Sequence, residues 1–345
     1  MCVAFSAAGD ASSRAPIGVL FDDRCWQHDP GPGHPERPER LDVIRRALAA
    51  PPLAGAWRPL TPRLCDDAAI EAVHDPAYVA LARRAIEAGM PGLPTGDTAV
   101  SRDSLLAARA AAGGILSACD AVMAGEVAAA FCAIRPPGHH ATRNRGMGFC
   151  VFNNVAIGAR YLQRQHGIER VLIVDWDVHH GNGTYDIFRA DPSVLQFHLH
   201  QRGIYPGTGW EDETGEGAAQ GRVIHIPLLP GSGVGPMLEA IERKLVPAAR
   251  AFRPQFVLIS AGFDAHRRDP IGGLDLGSAD YGRLTDAIAD IADEHAGGRI
   301  VSVLEGGYDL QALGESVAAH IATLARRAAG RATVNRDPLP PAPAR

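Results

Sequence analysis

The stretch VLIVDWDVHHGNGT, residues 171–184, begins as a buried strand and then becomes abruptly polar. Four apolar residues at 171–174 are followed by five ionisable or amide side chains, namely Asp175, Asp177, His179, His180 and Asn182. Burying a carboxylate without a partner is costly, so these groups must be exposed, paired or bound to a metal ion. The stretch therefore predicts a strand that ends in either a solvated loop or a functional site.

Short β-branched runs of the same kind alternate with amphipathic helical stretches along the rest of the chain. We predict strands at 17–21, 129–134, 170–175, 194–199, 223–228, 256–261 and 299–304. We predict helices at 38–50, 67–88, 101–124, 153–166, 235–251, 278–296 and 311–329. Continuous apolar strands covered by helices are typical of parallel sheets. We therefore expect a single α/β domain with a mostly parallel central sheet flanked by helices.

The two ends of the chain differ in composition from the segment between them. Residues 1–15 are small and polar, which predicts a flexible N-terminus, and residues 331–345 are Pro-rich, which predicts a disordered tail. The folded domain is then expected over 16–330. Within it, PGSGVG (230–235) lacks the spacing of a phosphate-binding loop and predicts a tight turn. GTGWEDETGEG (207–217) predicts a flexible surface loop.

Composition excludes several classes of protein. The 345-residue chain is 46% hydrophobic and 21% charged, and its net charge of −5 argues against a nucleic-acid-binding protein. No apolar run approaches 18 residues and no signal peptide is visible, so we expect neither a transmembrane helix nor a membrane partner. Six cysteines form no Cys-x-x-Cys pair, which favours reduced thiols and a cytoplasmic location. Lys244 is the only lysine, which suggests a GC-rich, bacterial genome.

Four predicted strands run into side chains that can carry chemistry: His139 and His140, then Asp175 to His179, then Asp264, then Tyr308. In open parallel sheets, ligands bind beyond the carboxyl ends of the strands. One such residue alone is more often a helix cap or a loop hydrogen-bonding group, but four strand ends together favour a site. Asp177, His179 and Asp264 offer two oxygens and one nitrogen, a plausible set for catalytic Zn²⁺ with an open position. The same set would accept Fe²⁺ or Co²⁺.

Seven motifs in order carry a family resemblance. They are GPGHPERPERL (31–41), RPPGHHA (135–141), GFCVFNN (148–154), DWDVHHGNGT (175–184), YPGTG (205–209), SAGFDAH (260–266) and LEGGYD (304–309). Over about 17–329 the chain resembles the zinc-dependent histone deacetylase family, which includes bacterial class II-like, acetylpolyamine amidohydrolase and acetoin utilisation deacetylase branches. The resemblance implies the arginase/deacetylase fold, a deacetylase catalytic domain over 16–330 and hydrolysis of N-acetylated amines. Arginases carry Asp-rich motifs for two manganese ions, which fit this chain less well.

The resemblance also implies roles for individual residues. The zinc ligands would be Asp177, His179 and Asp264. His139 and His140 would handle protons, with Asp175 orienting His139. Asn182 stands where other members have an Asp beside the second histidine; an amide orients without adding charge, so His140 is the better general base. Tyr308 would donate a hydrogen bond to the developing oxyanion.

Other residues are implied in substrate binding. Phe149 and Tyr205 would form the aromatic walls of an acyl-lysine tunnel, and Gly148 would let the backbone approach the substrate. Arg40 matches an arginine near the pocket floor, with a helix salt bridge as the alternative. Asp97 corresponds to an aspartate at the rim of the pocket. Relatives often bind K⁺ as well, and the matching positions are Asp175, Asp177, His179, His198 and Leu199, although His198 replaces a common Ser and weakens that expectation.

Three hypotheses for function follow. The first is a zinc-dependent deacetylase of acetyl-lysine in proteins, and the second is a deacetylase of small acetylated amines such as acetylpolyamines. Ile271 lies where a polyamine-selective relative can carry an acidic gatekeeper, which favours acetyl-lysine, whereas the net charge of −5 mildly favours cationic polyamines. The third, a non-catalytic acyl-ligand binding protein, is disfavoured because Tyr308 and all three metal ligands are present. The sequence predicts no oligomeric state.

Overall fold

The computed structural model describes residues 16–330, in which eight strands form one sheet. The strands are β1 (Ile17–Phe21), β2 (Trp57–Pro59), β3 (Ala129–Ala133), β4 (Val171–Asp175), β5 (Val194–Gln201), β6 (Val223–Leu228), β7 (Phe256–Ala261) and β8 (Ile300–Leu304). Their order across the sheet is β2-β1-β3-β8-β7-β4-β5-β6, and every pairing is parallel. The predicted α/β fold with a parallel central sheet is confirmed.

Helices cover the sheet. They are α1 (Glu39–Ala49), α2 (Asp67–Ile70), α3 (Pro76–Glu87), α4 (Ser104–Met123), α5 (Asn154–His166), α6 (Asn182–Phe188), α7 (Val234–Ala240), α8 (Val246–Phe252), α9 (Ser278–His295) and α10 (Leu310–Gly330). A 3₁₀ turn over Asp23–Gln27 and a π turn over Ile241–Leu245 accompany them.

Two predicted helices are interrupted. The prediction of a single helix at 67–88 is wrong, because a new helix begins at Pro76. Asp75 caps this helix by accepting a hydrogen bond from the Ala77 N–H, and Pro76 fits only the first turn of a helix. The helix expected at 235–251 contains the π turn Ile241–Leu245 just before Pro247, which has no N–H to donate to a regular helix. The short elements β2 and α6 were not predicted.

The helix α4 is rich in alanine and glycine and packs against β1, β3 and α5. By length and composition it is the one helix of residues 16–330 that could span a membrane. The absence of an unbroken apolar run of 18 residues had predicted no such helix. Its apolar window is 72% buried inside the fold. Packing against the sheet accounts for that composition, because small residues let the neighbouring backbone approach closely.

The sheet order explains where the candidate site forms. The strands β3, β8, β7 and β4 are neighbours at the centre of the sheet, and they are the four strands whose ends carry the candidate chemistry. Because all are parallel, their carboxyl ends meet at one edge. Residues far apart in the chain are thereby brought together without a second domain.

Three expectations concern residues outside the described part. The flexible N-terminus at 1–15, the disordered tail at 331–345 and the thiol of Cys2 all lie there. The five cysteines within 16–330 are free and buried. Burial raises the pKa of Cys25 to about 12, which keeps that thiol protonated.

Candidate active site and metal centre

Two carboxylates and one imidazole converge beyond the ends of β4 and β7. Asp177 and His179 lie in the turn after β4, and Asp264 lies after β7. The Nδ1 atom of His179 is 3.1 Å from Oδ1 of Asp177 and 3.2 Å from Oδ2 of Asp264. One ligand atom from each residue lies within 4.8 Å of the other two. The structure thus brings together the three residues that the sequence predicts as metal ligands.

Backbone groups hold these carboxylates in place. The Gly306 N–H donates to Oδ2 of Asp177 at 2.8 Å, and the Val178 N–H donates to Oδ1 of Asp264 at 2.9 Å. A Cβ atom at position 306 would lie 2.0 Å from Oδ2 of Asp264 and 2.6 Å from Oδ2 of Asp177. Only glycine at 306 therefore allows the loop after β8 to close over both acids.

The electrostatics of this triad favour a cation. Burial and the neighbouring carboxylate of Asp177 raise the pKa of Asp264 to about 7. Burial alone would lower the pKa of His179, but Asp177 and Asp264 raise it to about 10. Two carboxylates this close in a buried site need a positive charge between them. A divalent ion with oxygen and nitrogen donors fits that need, so the residues present suit the metal that the sequence predicts.

His139 lies beside the triad and is paired with an acid. Its Nδ1–H donates to Oδ2 of Asp175 at 3.0 Å, and its Nε2 is 3.8 Å from Oδ1 of Asp177. Burial alone would lower the pKa of His139, but Asp177 and Asp175 hold it well above the usual value. Oδ1 of Asp175 also accepts the Asp177 N–H at 3.1 Å, so this acid orients both a histidine and a ligand-bearing turn.

His140 is paired with an amide. Its Nδ1–H donates to Oδ1 of Asn182 at 2.7 Å, and the Asn182 amide nitrogen faces the His140 carbonyl at 3.4 Å and Sδ of Met147 at 3.5 Å. Burial, together with the neighbouring rings of His139 and His179, holds the pKa of His140 well below the usual value. The ring is therefore neutral, and its Nε2 keeps a lone pair that can accept a proton.

Tyr308 lies across the same site. Its backbone N–H donates to Oδ2 of Asp269 at 2.7 Å, and Oδ1 of Asp269 accepts the Ile271 N–H at 3.1 Å. Burial raises the pKa of the Tyr308 phenol well above the usual value, so the hydroxyl stays protonated and can donate. Sequence reasoning missed Asp269, which fixes the backbone of two predicted site residues at once.

A cavity of about 270 Å³ opens above these groups. Its walls contain Asp97, His140, Gly148, Phe149, His179, Ile204, Tyr205, Ile271 and Tyr308. The rings of Phe149 and Tyr308 meet edge to face at 6.1 Å, while Tyr205 and Ile271 are each 37% exposed at the mouth. An apolar slot with polar groups at its inner end suits an extended aliphatic chain that ends in a polar group.

The residues around Gly148 shape one wall of this cavity. Gly148 has φ +58°, and a Cβ there would lie 2.3 Å from Cδ2 of His140. The Gly148 N–H donates to Oδ1 of Asp97 at 2.7 Å, and the Tyr205 hydroxyl donates to the same oxygen at 3.2 Å. The exposed carboxylate of Asp97 therefore organises the wall, and the structure places it among the predicted pocket residues.

Arg40 is fully buried below Tyr308, with its guanidinium 4.9 Å from the centre of that ring. Its Nη1 atom is 3.1 Å from Oε1 of Glu36, and its Nε–H donates to the Gly307 carbonyl at 2.8 Å. Arg40 thus lies beneath the cavity rather than in its wall. Arg40 is thus near the pocket floor and forms a salt bridge with Glu36, and its role in the reaction stays a prediction.

Glu305 is a second group that sequence reasoning missed. Its Oε2 accepts the Gly138 N–H at 2.6 Å and the His139 N–H at 3.1 Å, so it holds the loop that carries the tandem histidines. Burial raises its pKa to about 7. The only signal was its place in the LEGGYD motif, because its partners are 166 and 167 residues away in the chain.

The residues expected around potassium are also near one another. The strands pair Asp175 with His198, and Nδ1 of His198 is 3.8 Å from Oδ2 of Asp175. Asp177 and His179 follow in the turn after Asp175, and Leu199 follows His198 on β5. His198 brings a ring nitrogen, rather than an oxygen, to this position, so the potassium site stays a prediction.

Comparisons with known proteins agree with this arrangement. A model of the histone deacetylase domain matches residues 34–324. The rice protein "Histone deacetylase 10, chloroplastic" is 39% identical over 303 residues, which cover 83% of this chain and 68% of the rice protein. The "Probable deacetylase" of Archaeoglobus fulgidus is 39% identical over 299 residues, which cover 85% of this chain and 82% of the archaeal protein. The crystal structure of the HDA15 HD domain superimposes with a TM-score of 0.86 at 37% identity, covering 91% of this chain and 90% of that one.

Proposed function

This chain belongs to the histone deacetylase family, and on that premise we propose that it is a zinc-dependent deacetylase of acetyl-lysine side chains in proteins. One observation carries the proposal. A neutral histidine, a protonated tyrosine and His179 of the Asp177–His179–Asp264 triad line one mostly apolar cavity. These are the groups that metal-assisted hydrolysis of an amide needs at a single point.

Asp177, His179 and Asp264 would hold the metal ion. When bound, Zn²⁺ supplies Lewis acidity that polarises the acetyl carbonyl and acidifies a water molecule. Fe²⁺ could use the same donors. Asp177 and Asp264 each have one carboxylate oxygen held by a backbone N–H, and the other oxygen of each carboxylate faces His179.

His140 is the general base in this proposal. Its Nδ1–H is committed to Asn182, which leaves the Nε2 lone pair to take a proton from the attacking water and then deliver it to the leaving amine. His139 shares its proton with Asp175, and it contributes charge beside the triad rather than a free lone pair.

Tyr308 donates a hydrogen bond from its hydroxyl to the carbonyl oxygen as that oxygen becomes negative, and it keeps its proton because its pKa is held well above the usual value. A single preorganised donor of this kind is worth about 2.7–4 kcal/mol in the transition state. Asp269 and the buried Arg40 position Tyr308, the first through its backbone N–H and the second through its ring.

The cavity supports acetyl-lysine as the substrate. Its aromatic wall matches the four methylenes of a lysine side chain, and Ile271 places an aliphatic group rather than an acid at the mouth. A cationic polyamine would lose hydration beside Ile271 without gaining an ion pair from that position, and the carboxylate of Asp97 in the cavity wall already accepts hydrogen bonds from the Gly148 N–H and the Tyr205 hydroxyl. The net charge of −5 favours acetylpolyamines as the second candidate substrates.

The first experiment measures acetate release from an acetyl-lysine peptide and from N-acetylputrescine, using metal-loaded and chelator-treated enzyme. We expect metal-dependent turnover of the peptide and little turnover of N-acetylputrescine. The opposite preference would assign the protein to small-molecule substrates. Metal-loaded enzyme that hydrolyses neither would contradict the deacetylase proposal for both.

A pair of substitutions tests the role of Ile271 in this choice. Ile271→Glu should raise turnover of N-acetylputrescine relative to the peptide several-fold, because it adds an anion at the mouth. The matched Ile271→Gln variant has nearly the same shape without the charge and should leave the ratio near that of the unmodified enzyme. Equal ratios in the two variants would remove the gatekeeper argument.

A further inference from the structure

A second group of histidines lies beside the active site and takes no part in the chemistry described above. We call it the histidine cluster, and it consists of His180, His198, His200 and His225. All four side chains are buried, with exposures of 1%, 1%, 2% and 2%. Four imidazoles packed together inside a protein are unusual, because each brings two polar nitrogens that need partners.

Strand register assembles the cluster. Asp175 on β4 pairs with His198 on β5, and His198 pairs with His225 on β6. Directly paired residues point to the same face of a sheet, so these three side chains form a row. His180, in the turn after β4, places its ring centre 5.1 Å from that of His198 and 4.6 Å from that of His225. Residues from three strands thus meet at one point.

The distances match those of a metal-ligand set. The Nε2 atoms of His180 and His225 are 3.0 Å apart, and His180, His198 and His225 offer three ring nitrogens within 4.8 Å of one another. Nitrogens bound to Zn²⁺ at 2.0–2.1 Å in a tetrahedral site are roughly 3.3 Å apart. Small side-chain rotations would therefore bring the three nitrogens onto one ion.

The hydrogen-bond pattern leaves nitrogen lone pairs in the cluster. Nδ1–H of His225 donates to the Trp210 carbonyl at 3.2 Å, so its Nε2 presents a lone pair to His180. Nε2–H of His200 donates to the Gly209 carbonyl at 3.0 Å. The Nδ1 atoms of His198 and His200 are buried and have no hydrogen-bond partner among residues 16–330. An unpartnered lone pair in a buried site is costly, and of these two residues His198 belongs to the three whose nitrogens lie close enough to share a cation.

Acidic groups on both sides can balance the charge of an ion. Oδ2 of Asp175 is 3.8 Å from Nδ1 of His198. On the other side, Oε2 of Glu213 accepts the N–H groups of Gly209 and Trp210, in the loop whose carbonyls hold His200 and His225. The stretch 207–217, expected to be only a flexible surface loop, therefore closes over the cluster.

We propose that His180, His198 and His225 bind a second divalent transition-metal ion of the Zn²⁺ class, separate from the ion of the active site. Imidazole donors suit Zn²⁺, Ni²⁺ and Cu²⁺, whereas K⁺ and Mg²⁺ prefer oxygen. The ion would cross-link β5, β6 and the turn after β4, and it would stabilise the folded state because the three ligands meet only in that state. This proposal does not depend on the deacetylase activity.

The test counts zinc ions. Full-length protein is stripped with a chelator, reloaded with excess ZnCl₂, dialysed, and analysed for zinc per chain. We expect two ions in the unmodified protein, one in His225→Asn and one in Asp264→Ala, and none in the double variant Asp264→Ala/His225→Asn. Asparagine at 225 keeps an N–H that can donate to the Trp210 carbonyl. Thermal unfolding of Asp264→Ala should rise in Tm with ZnCl₂, and that of the double variant should not.

Controls keep this count interpretable. His320→Gln removes a buried histidine that bonds Thr285 and Ser302, outside the cluster, and should still bind two ions. His198→Ser removes another ligand and replaces His225→Asn if the latter fails to fold. One ion in the unmodified protein, or equal zinc in Asp264→Ala and the double variant, would overturn the proposal. Peptide turnover is assayed separately, so a failed deacetylase proposal leaves the zinc count decisive for this one.

Discussion

His139 and His140 are consecutive residues whose ring centres lie 4.0 Å apart, yet their surroundings shift their pKa values in opposite directions. His139 donates to the carboxylate of Asp175, and its pKa is held well above the usual value although burial opposes this. His140 donates to the amide of Asn182, and burial with its charged neighbours holds its pKa well below the usual value. The charges around each ring separate them: Asp177 and Asp175 favour the protonated form of His139, whereas burial and the rings of His139 and His179 favour the neutral form of His140.

The difference shows how one dipeptide supports two roles. Both partners fix the same tautomer, because each accepts from Nδ1–H. Only the carboxylate adds a negative charge that stabilises the imidazolium. His140 can therefore accept a proton near neutral pH, whereas His139 already carries one beside the metal ligands. The four predictions below test this division of roles, from the largest expected effect to the smallest.

Removing each ring in turn tests the division directly. We expect His140→Gln to lower kcat/KM on an acetyl-lysine peptide by about a hundred- to ten-thousand-fold, the range for loss of a general base. His139→Gln should cost about ten- to a hundred-fold, as expected for a group that supports a metal ligand. Steady-state kinetics with matched zinc content provides the measurement. An equal or larger loss for His139→Gln would assign the base to the other ring.

The loss of activity on removing the Tyr308 hydroxyl can be compared with the losses for the two histidines, because Tyr308 donates a hydrogen bond and accepts no proton from water. Tyr308→Phe should lower kcat about a hundred- to a thousand-fold, the range for one oxyanion donor, with little change in KM. The ring and its contacts with Phe149 and Arg40 remain, so peptide binding serves as the control. A change confined to KM would mean that Tyr308 only binds substrate.

Much of the fold was predictable because the strands are continuous apolar runs with polar ends. The run at 171–174 and the acids that follow it define β4 and its functional end without any long-range information. The strand β2 escaped prediction because it has three residues, Trp57–Pro59, and too little length for a pattern. The Asp75-Pro76 pair indicates that a new helix begins there, but the apolar periodicity on both sides of the pair favoured one continuous helix.

The site was predictable where its residues belong to local motifs, and not where strand register or loops bring them together. Asp177 and His179 lie in one turn, whereas Glu305 meets Gly138 across 167 residues. The histidine cluster shows the same limit, because nothing in the sequence connects His198 with His225, and they become neighbours only through the pairing of β5 with β6. Family resemblance supplied roles for the first kind of residue, and for the second kind it supplied only a place for His198 in the expected potassium site.

Replacing Asp175, the acid that pairs with His139, by an amide gives both histidines the same kind of partner. In Asp175→Asn, the amide oxygen can keep the Asp177 N–H, which turns the amide NH₂ toward Nδ1 of His139 and forces the other tautomer. We expect about a ten- to hundred-fold loss of kcat/KM and weaker zinc retention, as for other changes behind a metal ligand. Zinc content measured beside activity separates the two effects. Unchanged activity and zinc content would show that the charge on Asp175 is dispensable.

The reciprocal change, Asn182→Asp, should have the smallest effect because it preserves the acceptor for Nδ1–H of His140 and adds only a charge. A carboxylate at 182 raises the pKa of His140, so the ring stays protonated up to a higher pH. The acid limb of the kcat/KM profile should move to higher pH, and activity near neutral pH should fall several-fold, with recovery at alkaline pH. Asn182→Ser, which is polar without the charge, provides the matched control and should not move the limb upward. If the limb keeps its position in Asn182→Asp, the neutrality of His140 is set by burial and its positive neighbours, and the amide serves only to orient the ring.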